Sequence, residues 1–145
     1  MLRILRQTGH SAGTEYGGSA ALAFAAQDGN LAGLCLWATP WNLDETFRSA
    51  LGEGYDRLAR GEELAAEDEY GKLRLTPDFI RDFAKHDLKA NIRTVAGIPI
   101  LFVHGQADSV VPVRQAEELY TAASEPKELV IIPGGDHQFL SSHEQ

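Results

Sequence analysis

Ile98-Pro99-Ile100-Leu101-Phe102-Val103-His104 runs directly into Gly105-Gln106-Ala107-Asp108-Ser109-Val110-Val111-Pro112, and this stretch decides the fold. Its first part is a near-continuous apolar run, the pattern of a strand buried within a parallel sheet. The polar segment opened by Gly105 is a loop at that strand's carboxyl end. Val113, Ala116, Leu119, Tyr120 and Ala123 then recur at helical spacing, and Glu125-Pro126 breaks the helix. Glu128-Leu129-Val130-Ile131-Ile132 is a second strand, followed by the loop Pro133-Gly134-Gly135-Asp136-His137. Strand, helix and strand in this rhythm predict parallel pairing with a right-handed crossover.

Working outward, Leu31 to Ala38 forms another continuous apolar run, suited to a strand covered on both faces and ended by Thr39-Pro40. Before it, Ser19 to Ala26 is a small-residue helix, closed by the turn residues Gln27-Asp28-Gly29-Asn30. Leu2 to Thr8 reads as a first strand, but Arg3, Arg6, Gln7 and Thr8 interrupt it and predict an exposed edge. The segment 41–94 differs in character. Short helices are expected at Leu43–Leu51 and Tyr55–Arg60, and the acidic run Glu62–Glu69 is expected as a solvated helix face or loop. Thr76-Pro77 starts a further helix, with threonine at the cap and proline at the first helical position. Phe79, Ile80 and Phe83 form its buried stripe. About fifty residues between two strands exceed an ordinary crossover, so 41–94 is expected as a helical, cap-like insertion in one domain spanning 1–145.

The chain has 145 residues, 43% hydrophobic and 23% charged, with a net charge of −8. That charge argues against a nucleic-acid binder, which needs a basic face, and against binding an anionic membrane. The single cysteine, Cys35, excludes an internal disulfide and reads as a small buried hydrophobe. No apolar stretch approaches the roughly 20 residues of a membrane span. The N-terminus lacks a secretory signal's apolar region, so a cytoplasmic location is expected. The five histidines show no metal-ligand spacing, and neither a metal nor a cofactor is expected.

Reactive groups in open α/β sheets gather beyond the carboxyl ends of the strands. Asp108 and His137 occupy two such ends. A third candidate lies in Gly9-His10-Ser11-Ala12-Gly13, a Gly-x-Ser-x-Gly pattern that places Ser11 on a strand-to-helix elbow. Serine hydroxyl is a weak nucleophile that needs a base, and histidine titrates in the right range. A carboxylate behind the imidazole fixes its tautomer. Asp136 is a rival for the carboxylate role. His104 is expected to support its loop, His10 fills the variable elbow position, and His86 and His143 carry no motif.

His104-Gly105-Gln106-Ala107-Asp108-Ser109-Val110-Val111-Pro112 resembles the acid-bearing loop of the α/β-hydrolase superfamily of esterases, lipases and serine peptidases. Gly134-Gly135-Asp136-His137-Gln138-Phe139 resembles its histidine loop. The resemblance implies a truncated α/β-hydrolase fold from the nucleophile elbow onward, with a small, mostly parallel sheet of about four strands flanked by helices. It implies Ser11 as nucleophile, His137 as base, Asp108 as acid and Ala12 N–H as oxyanion donor, in a serine hydrolase cleaving small esters or related acyl compounds. Two departures define alternatives. Gly13-Thr14-Glu15-Tyr16-Gly17-Gly18 fits the elbow in a second register, which puts Glu15 at the nucleophile position. The strands and oxyanion loop that precede the elbow in the family are not in this sequence, which is therefore expected to be either a fragment or a natural minimal form. The alternative function is a catalytically inactive fragment or interaction module. The exposed strand Leu2–Thr8 predicts self-association; the other expected partner is a small ester or acyl substrate.

Overall fold

The structure, a computed structural model, describes residues 3–4, 10–14, 16–27, 30–68 and 71–138. In chain order the elements are β1 (Arg3–Ile4), β2 (His10–Thr14), α1 (Tyr16–Ala25), β3 (Gly33–Trp37), α2 (Leu43–Leu51), α3 (Glu53–Ala59), β4 (Leu64–Asp68) and β5 (Gly71–Leu75). They continue with α4 (Pro77–Arg81), a 3₁₀ turn at Asp82–Lys85, α5 (Leu88–Thr94), β6 (Ile100–Gly105), α6 (Val113–Ala122) and β7 (Lys127–Ile132). Two compact units emerge: Met1–Trp41 with Asp87–Gln145, and Asn42–His86.

In the first unit a five-stranded sheet runs in the order β1-β2-β3-β6-β7. The last four strands pair in parallel, and β1 is an antiparallel edge. Side chains alternate across this sheet. Leu34 and Leu36 on β3 pair in register with Ile100 and Phe102 on β6, and all four are buried. Phe102 meets the Tyr120 ring of α6 edge-on at 5.9 Å, so this is the face the helices cover. Ala21, Leu22 and Ala25 come from α1, Leu88 and Ile92 from α5, and Ala116 and Leu119 from α6 to complete the core. The opposite face carries Trp37 and Val130, each 38% exposed, and half-buried Cys35. The expectation that 31–38 is covered on both faces is thus corrected, because β3 alternates between a buried and a more open side. Burial still pushes the Cys35 thiol pKa up, which disfavours the thiolate.

Side chains as well as packing fix α5. Asp87 caps it, with its Oδ1 accepting from Ala90 N–H at 2.8 Å. Asp87→Ala is expected to lower the stability of the protein by about 1 kcal/mol. Urea denaturation reads this directly, and an unchanged midpoint at constant slope would show the cap to contribute nothing.

The second unit departs from expectation at the acidic run. Residues 64–68 form β4, antiparallel to β5, rather than a helix face or loop. The reason is non-local: Ala65 pairs with Arg74 and Glu67 with Lys72, and Glu63 forms an ion pair with Arg74. One opposite-charge register pair, Glu67 with Lys72, and the Glu63–Arg74 ion pair favour a hairpin that no single segment shows. α2 appears as expected, capped by Asn42 accepting from Glu45 N–H at 3.1 Å. Thr76 occupies the cap position of α4 with Pro77 at its first turn, but its side chain makes no capping bond. Phe79 and Phe83 contact Phe47 at centroid distances of 4.8 and 5.0 Å. Tyr55 donates to Asp44, and burial with that carboxylate pushes the Tyr55 hydroxyl pKa up. Unit two ends at His86, so α5, expected inside the insertion, belongs with the sheet.

Candidate active site

β6 ends at Gly105 and β7 at Ile132, neighbouring strands in exact Cα register. Their following loops therefore start side by side. Gln106 N–H donates to Ile132 C=O at 3.0 Å, and Ala107 N–H to Gly135 C=O at 2.9 Å, tying the two loops together. A side chain at Gly105 would not fit: a Cβ there would lie 2.7 Å from Asp136 C=O and closer still to Gly135 C=O. Gly134 turns the chain with φ +67°, a region open to glycine at little cost.

This double loop brings Asp108 and His137 together. His137 Nδ1–H donates to Asp108 Oδ2 at 2.8 Å. Asp108 Oδ1 accepts from Val110 N–H at 2.9 Å and Val111 N–H at 2.8 Å. The carboxylate side chain is fully buried and the imidazole is 13% exposed. A carboxylate only accepts, so Nδ1 carries the imidazole proton and Nε2 the basic lone pair. Asp136, the rival, accepts from Gln138 N–H at 3.1 Å and stabilises its own turn. His104 is completely buried, and its Nε2 donates to Val111 C=O at 2.7 Å.

Ser11 is not brought to this place. It is the second residue of β2, where it pairs with Leu34, and Leu34 pairs with Ile100. Ile100 is the first residue of β6, whereas Asp108 lies beyond the last. Five residues of strand separate those levels, roughly 16 Å at about 3.3 Å per residue. The expectation that Ser11 sits on an elbow beside His137 is corrected by this register. Ala12 is corrected with it, because it lies inside β2 between Arg3 and Cys35 rather than after a turn. β2 ends at Thr14 and α1 begins at Tyr16. Glu15, the nucleophile position of the second register, lies outside the described residues, as does Gly9.

Two further contributors were not legible beforehand. Gly105 matters for close approach rather than for its φ, which no local signal reveals. Gln115, buried on α6, accepts from Trp41 N–H at 3.0 Å and holds the chain after β3. A polar residue beside Ala116 on the inward side of a helix was its signal.

A mostly parallel sheet with a buried Asp–His pair on adjoining loops at its carboxyl edge defines an α/β hydrolase fold. The chain belongs to the serine aminopeptidase S33 family, whose model matches residues 56–144, more than half of the sequence. It is 50% identical over 46 residues to the uncharacterized protein YfhR of Escherichia coli (strain K12), a match covering 32% of this chain and 16% of that protein. The esterase domain of a Rhodothermus marinus protein superposes with a TM-score of 0.67 at 25% identity, covering 92% of this chain and 54% of that one. Est1E from Butyrivibrio proteoclasticus with bound ferulic acid gives 0.73 at 24% identity, covering 92% and 52%. The chain spans about half the length of these solved structures. Among the described residues no helix is long and apolar enough to cross a membrane.

Proposed function

We propose that the chain is a hydrolase acting on small esters or related acyl compounds in which His137 is a general base oriented by Asp108, with water rather than Ser11 as nucleophile. The observation that carries this reading is the 2.8 Å bond from His137 Nδ1–H to buried Asp108. Nε2 takes a proton from water as the hydroxide oxygen bonds to the substrate carbonyl. The tetrahedral intermediate then collapses, and the imidazolium returns the proton to the departing alkoxide. Such general-base assistance contributes about 10²–10⁴-fold. In the second register of the elbow motif the place of the family's serine falls on Glu15, and a carboxylate attacking an ester would form only a labile anhydride. The likeness to an esterase domain supports the acyl substrate class.

A fluorophosphonate probe and p-nitrophenyl acetate test the reading together. The wild type is expected to hydrolyse the ester without being labelled, and Ser11→Ala is expected to do the same at an unchanged rate. Glu15→Ser, which puts a hydroxyl at the nucleophile position of the second motif register, is expected to become labelled. Labelling of the wild type that vanishes in Ser11→Ala would overturn the reading in favour of Ser11. The second reading, a non-catalytic module of the same fold, is favoured by the position of Ser11 within β2, at the level where β6 begins. It predicts no hydrolysis dependent on His137 and no labelling of Glu15→Ser.

A further inference from the structure

His104 is a buried histidine that the proposed reaction does not use. Its Nδ1 has no hydrogen-bond partner among the described residues, while its Nε2 makes one short bond, 2.7 Å to Val111 C=O. A carbonyl only accepts, so Nε2 bears the proton and Nδ1 is buried and unprotonated. The peptide groups of Val111 are thereby committed in two directions. Its C=O is held by His104, and its N–H is one of the two donors on Asp108 Oδ1. The same Nε2 stands 3.4 Å from Asp108 Oδ2, the oxygen that receives His137. Two imidazoles thus bear on one carboxylate: His137 bonds Oδ2 directly, and His104 acts on Oδ1 through the Val111 peptide groups.

We propose that His104 is a positioning residue: by holding Val111 it fixes the amides that grip Asp108 Oδ1, and so aims Oδ2 at His137 Nδ1. A hydrophobic residue would fill the same space, since Nδ1 bonds to nothing described. What it could not do is anchor the Val111 carbonyl. With that anchor gone, the 108–111 turn can rotate and Asp108 loses its fixed bearing on His137. The titratable groups around the pair among the described residues are His104 near the end of β6, Asp108 on the loop after it, and Asp136 and His137 on the loop after β7. Of these only His104 contacts both the Val111 carbonyl and the carboxylate. The consequence for catalysis rests on the reading of His137 as base; the consequence for its tautomer does not.

The experiment reads the protonated nitrogen of His137 by long-range ¹H–¹⁵N correlation, alongside kcat and KM for p-nitrophenyl acetate. The wild type is expected to show His137 as the Nδ1–H tautomer and His104 as the Nε2–H tautomer. In His104→Leu, His137 is expected to become a mixture of tautomers. Its kcat is expected to fall by about ten- to a hundredfold with KM little changed, the effect of a small misplacement of a catalytic group. His104→Gln carries an N–H donor at the reach of Nε2 and is expected to restore both readouts. Should His104→Leu fail to fold, His104→Asn, whose amide is one bond too short for Val111, is expected to give the same mixture. A single Nδ1–H tautomer in whichever of these two variants folds overturns the proposal, as does failure of folded His104→Gln to restore it. Asp108→Ala separates the two readings. If it leaves the His137 tautomer unmoved, the Asp108–His137 pairing itself fails. If it shifts the tautomer where the His104 variants do not, only the role of His104 fails.

Discussion

Replacing His137 by alanine is expected to lower the rate of p-nitrophenyl acetate hydrolysis by about 10²–10⁴-fold, the range that a positioned general base contributes. The fold is expected to survive. Asp108 would lose one partner but keep the Val110 and Val111 amides on Oδ1, and the imidazole it loses is already partly exposed. The cost of leaving Oδ2 short of a donor is about 1–3 kcal/mol, less than the total stability of an ordinary domain. Free imidazole in the buffer should recover part of the lost rate, because the defect is a missing base rather than a distorted site. A rate in His137→Ala equal to that of the wild type would remove the catalytic reading altogether.

Gly105→Ala is expected to damage stability and activity together. The added methyl would meet the carbonyl oxygens of Gly135 and Asp136, both main-chain atoms that no rotamer change can move aside. Relief requires the two loops to separate, and their hydrogen bonds through Gln106 and Ala107 resist this. Overpacking of this kind costs about 1–3 kcal/mol, which urea denaturation would register as a midpoint lowered by roughly 1 M at typical slopes. The separation also draws His137 away from Asp108, so kcat should fall beyond what instability explains. Gly134→Ala is the control. Its added methyl meets nothing within 4 Å, and it pays only for a φ of +67°, about 1–2 kcal/mol. If Gly105→Ala were no worse than this control, the close approach of the loops would not matter.

The carboxyl-terminal third was legible to within two residues at each element boundary. β6, α6 and β7 rest on local signals: apolar runs, helical spacing and a proline break. The loops after β6 and β7 hold Asp108 and His137 because both strands end at the same level in the sheet. The β4–β5 hairpin was not legible, since its acidic strand is matched by basic residues on the other strand rather than by anything within itself. The elbow failed for a related reason. Gly9 to Gly13 satisfies a five-residue pattern, yet His10 to Thr14 enters the sheet as a strand, and the helix waits until Tyr16. A short motif specifies which residues can turn tightly. Whether they do depends on the strands beside them.

The sequence alone determined the α/β class and marked Asp108 and His137 as candidates at the strand ends, because runs of apolar residues and the loops that end them are properties of contiguous chain. The tertiary structure decided that Asp108 and His137 meet, that Gly105 lets their loops close, and that Ser11 stands at the far end of the strands from both. Register between strands decided the last point. It is fixed by which faces become buried and where neighbours begin and end, and no single segment carries that information.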